Sequence, residues 1–144
     1  MTMKELQQEI IATMKNWQKA ETDSVASTAQ IISKTSNPVI HLVMEIIQRD
    51  SLMHHRVQEW IADSLEYKTV SLSPDELAEV WDKIEHHNEL EKKMVENAEQ
   101  MISHLKGTGI NVVIKYLLSY LLEDEKKHKH LLDSLDSIRH GMLP

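Results

Sequence analysis

Two stretches of the chain repeat each other at an offset of 74 residues: Asp50-Ser-Leu-Met-His54 and Asp124-Glu-Lys-Lys-His128. Each places a carboxylate and an imidazole one turn apart inside an apolar helical stripe. The stripe repeats too, because Val39, Val43, Ile47, Val57 and Ile61 map onto Val113, Leu117, Leu121, Leu131 and Leu135. Two helices of like design are thus expected to aim Asp and His into one shared core. An unpaired charge is costly there, and a bound cation is the simplest compensation.

The spacing of apolar residues predicts helix throughout. Thr2-Met-Lys-Glu5 forms a capping box ahead of Leu6, Ile10, Met14, Trp17, Ser24, Thr28 and Ile31 at helical spacing, with Glu21 in the same series. Pro38 opens a second helix as a first-turn residue, and its inner face carries Val39, Val43, Ile46, Ile47, Asp50, Met53, His54, Val57, Ile61 and Leu65. Ser73-Pro-Asp-Glu76 is the clearest start signal, combining an N-cap Ser, a first-turn Pro and a closing Glu. Gly107-Thr-Gly109 stops the third helix, and Gly141 caps the fourth before Pro144 closes the chain. The helices are predicted at about 3–34, 38–68, 74–106 and 110–140. Only three Gly and three Pro punctuate the 144 residues, too few for an all-β fold.

Four helices of this length, each ~45 Å long, predict a single-domain, all-α four-helix bundle. The linker from Thr69 to Ser73 reaches at most ~17 Å, which excludes a long crossover and gives antiparallel up-down-up-down order. In such a bundle Glu21, His54, Glu91 and His128 all fall about 25 to 30 Å below the same end. Asp50 and Asp124 lie one turn higher, and Glu125 joins His128 in Glu-x-x-His spacing. Each helix contributes a potential ligand to one layer. Carboxylates and imidazoles crowded into a dry core repel and shift their pKa values, and two divalent cations would cancel that charge.

Composition narrows the chemistry. With no Cys, disulfides, thiolate metal clusters and Cys nucleophiles are excluded together. A metal would be held by His and carboxylates, a set that suits iron, manganese or zinc. The net charge of −7 argues against nucleic acid as a partner. No basic amphipathic face, long apolar run or signal-peptide core points to a membrane or to export, so a cytoplasmic protein is expected.

The ligand pattern resembles the ferritin-like superfamily, in particular rubrerythrin-type and related small di-iron proteins. Glu21 matches the first-helix Glu, His54 the second-helix His, Glu91 the third-helix Glu and Glu125-x-x-His128 the fourth-helix pair. The pattern departs in the second helix, where Ser51 stands in the Glu position and Asp50 would have to substitute. The resemblance implies a metal centre of Glu21, Asp50, His54, Glu91, Glu125 and His128 holding two iron ions, or manganese or zinc, and reacting with O2 or peroxide. Glu91 and Glu125 would bridge the metals ~3.5–4 Å apart. His87 is a possible extra ligand, and Asp124 would support the His128 ring. Without the rubredoxin-like Cys domain of rubrerythrins, redox activity would need an external electron donor. Hemerythrin-like proteins, which share short loops and a His-x-x-x-Glu motif matched by His87 and Glu91, rank second. Their third-helix His-x-x-x-His and fourth-helix His-x-x-x-x-Asp have no counterpart here.

Blander readings stand beside this one. Asp50 and His54 could form a buried pair that fixes helix register, giving a metal-free interaction module. Glu21 and Glu91 could flank the core and reach water. Alternatively His54, His128 and Glu125 could hold a single zinc or manganese. His55, His86, His130 and His140 fall off the inner stripe and are expected in solvent. Trp17, Trp81, Tyr116 and Tyr120 are expected as core packing, while exposed Trp60 and the Met-rich ends leave room for a homodimer.

Overall fold

A computed structural model describes residues 1–68 and 70–141. Four α-helices account for nearly all of them, and there is no strand among the described residues. They are α1 (Met3–Ser33), α2 (Pro38–Glu66), α3 (Pro74–His104) and α4 (Val112–Arg139). Boundaries fall within two residues of those expected. The linker residue Thr69 and the chain-closing Pro144 lie outside the described residues.

Local chemistry sets the helix starts. Thr2 and Ser73 each accept the N3 amide while Glu5 and Glu76 reach back to the cap amides, completing two capping boxes. Asn37 and Asn111 cap α2 and α4 through Oδ1. Gly107 and Gly109 both adopt positive φ, near +70°, in the α3–α4 connection, where a Cβ would be strained. Replacing Ser73 by Ala should destabilise the protein by about 1 kcal/mol, read as a lower urea midpoint with unchanged slope.

The chain divides into two compact units, Met1–Ser71 and Leu72–Pro144, each built on a helical hairpin. In the first, α2 folds back on α1, and Lys15–Glu66, Gln18–His55, Glu21–His54 and Ser24–Ser51 pair down the two helices in opposite directions. The seam is small and polar. Met14, Thr28, Ser51, Gln58 and Ala62 are its buried residues, and the Ser24 and Ser51 hydroxyls hydrogen-bond at 2.9 Å. Gln18 and Gln48 reach across to the carbonyls of His55 and Val25.

The face of α2 predicted as inner is covered only in part: Val39, Val43, Ile46, Asp50 and Leu65 are half-buried, while the fully buried Ser51, Gln58 and Ala62 lie beside it. Ile47, Val57 and Ile61 remain exposed, as do Trp17 and Tyr116, which were expected in a core. The reason is spacing: two helices approach closely where side chains are short, so Ser, Thr and Ala take the seam and larger apolar groups stay on its flanks. In the second unit Leu77 and Glu91 are the buried residues, Arg139 lies 4.2 Å over the Trp81 ring, and Asn88 of α3 bonds Asp133 of α4. No helix among the described residues is long and apolar enough to cross a membrane.

Candidate metal centre

The second unit gathers the densest chemistry. Glu91 on α3 is 3% exposed, level with His128 on α4 in the hairpin register. His128 Nδ1 lies 3.4 Å from Glu91 Oε1 and 3.6 Å from Glu125 Oε2, the i,i+3 relation bringing the two α4 residues onto one face. One ligand atom from each of Glu91, Glu125 and His128 falls within 4.8 Å of the others. Among the described residues this is the group of three that could hold a metal ion.

Around it sit the two residues expected in supporting places. His87 Nε2 lies 3.0 Å from Glu91 Oε1, one turn before it on α3. Asp124 Oδ2 is 3.4 Å from His128 Nε2, while its other oxygen meets Lys127 at 2.9 Å. The His128 ring is thus bracketed, with Nδ1 toward the glutamates and Nε2 toward Asp124. That arrangement orients a ligating imidazole.

The two glutamates shift each other in opposite directions. The hydrogen bond from Glu125, then those of His87 and the nearby imidazoles, holds the Glu91 carboxyl below its ordinary range despite burial. The same bond to Glu91, burial and the Glu91 charge push Glu125 above its ordinary range. The pair therefore favours charge on Glu91 over charge on Glu125. Even so, Glu91 Oε2 and Glu125 Oε2 are buried with no hydrogen-bond partner. Orphaned carboxylate oxygens beside an imidazole fit a hard or borderline divalent cation.

The first unit is not a copy of this. Glu21 Oε2 and His54 Nδ1 approach to 3.2 Å, so the same-depth relation of the Glu and His is present there too. His54 is 61% exposed in its side chain rather than turned into a core. Asp50, half-buried, does not join Glu21 and His54 in a three-donor group, its carboxylate being one methylene shorter than the Glu it would replace. Ser51, at the position of the missing Glu, is committed to the hydroxyl bond with Ser24. His55 was expected in solvent and is half-buried, because it stands one turn after Ser51 on the α2 face that carries the buried Ser51, Gln58 and Ala62. Sequence reasoning missed Gln58, buried in the first unit; its signal was a polar residue one turn beyond His54.

Comparison with known proteins finds no match, whether among family models, curated proteins or solved structures.

Proposed function

We propose that this chain is a metal-binding protein of ferritin-like, four-helix-bundle type, whose best-formed site is Glu91, Glu125 and His128. The observation that carries the reading is the pair of buried, unpartnered oxygens, Glu91 Oε2 and Glu125 Oε2, next to the His128 ring. Glu91, Glu125 and the Nδ1 of His128 would hold the cation, Asp124 would steady the imidazole through Nε2, and His87 lies near enough to Glu91 to serve as a further donor. Iron held by such ligands would supply redox chemistry toward O2 or peroxide, with electrons from an external donor.

Equilibrium dialysis of untagged protein tests this. We expect about one Mn(II) per chain, lost in Glu125→Ala with helical circular dichroism unchanged. About two iron per chain after anaerobic loading, with charge-transfer absorption on oxidation, supports the dinuclear reading. No bound metal under either condition sinks the proposal.

A further inference from the structure

We draw no further inference here: the strongest candidate, the apolar groove of the first unit lined along α2 by Met53, Val57, Trp60 and Ile61, carries nothing because no feature of the structure shows what covers it.

Discussion

Glu91→Met should lower the melting temperature of the metal-free protein and abolish the rise that Mn(II) gives the wild type. Glu91 is 3% exposed, and the bonds from Glu125 and His87 hold its carboxyl below the ordinary range, so its charge is compensated in the folded state. Removing one partner of a buried polar pair is destabilising, because the other is left unsatisfied. A loss of about 1–3 kcal/mol is expected, chiefly through Glu125, since the exposed His87 keeps its solvation when its partner goes. Metal acts in the opposite sense. At a free concentration roughly a hundred times Kd, a ligand bound only by the folded state adds about 2.7 kcal/mol. The wild type should gain that increment and the variant none of it. Paired thermal melts with and without Mn(II) measure both effects. If Mn(II) gives the wild type no increment, or gives Glu91→Met the same one, the polar cluster is a structural device that fixes helix register, and the metal reading fails.

The metal-free protein should also be most stable in a window bounded by the two glutamates. Glu91 has a lowered pKa, so its contribution is present above the unfolded value and lost as pH falls through the folded one. Glu125 has a raised pKa, so its contribution is present below the unfolded value and lost as pH rises through the folded one. Between those limits both shifts favour the folded state. On the alkaline side the folded state binds more protons than the unfolded state, and stability falls by up to about 1.4 kcal/mol per pH unit for one proton. Glu125→Gln mimics the protonated carboxyl, since its amide can still donate to Glu91. Urea midpoints across pH should therefore flatten on the alkaline side in the variant relative to wild type. Parallel profiles would mean that Glu91 does not raise the Glu125 carboxyl in the folded state.

Helix identity and limits were legible because each start has its own chemistry. Thr2 with Glu5 and Ser73 with Glu76 close capping boxes, and Pro38 and Pro74 occupy first turns. The depth of the polar groups within each hairpin was legible as well. Counting residues from a short turn sets which side chains stand level, and Glu21 meets His54 as Glu91 meets His128. Which face of α2 turns toward α1 was not legible. An apolar stripe marks a surface that seeks cover, but close approach of two helices is decided by small residues, and Ser51 and Ala62 carry little hydropathic signal. The same blindness hid Gln58, whose burial depends on neighbours contributed by α1. The Glu-x-x-His spacing of Glu125 and His128 placed both on one face, but the opposite shifts of Glu91 and Glu125 depend on burial that no spacing reveals.

The hydroxyl clasp between Ser24 and Ser51 limits what position 51 can carry. At the 74-residue offset, Ser51 corresponds to Glu125 and Ser24 to Ala98. Returning an acidic side chain to position 51 alone would wedge a longer group into a joint closed at 2.9 Å. Restoring symmetry would demand a paired exchange, with position 24 trimmed to alanine in the same step. While position 24 keeps its hydroxyl, position 51 has no room for the glutamate that stands at its counterpart, position 125.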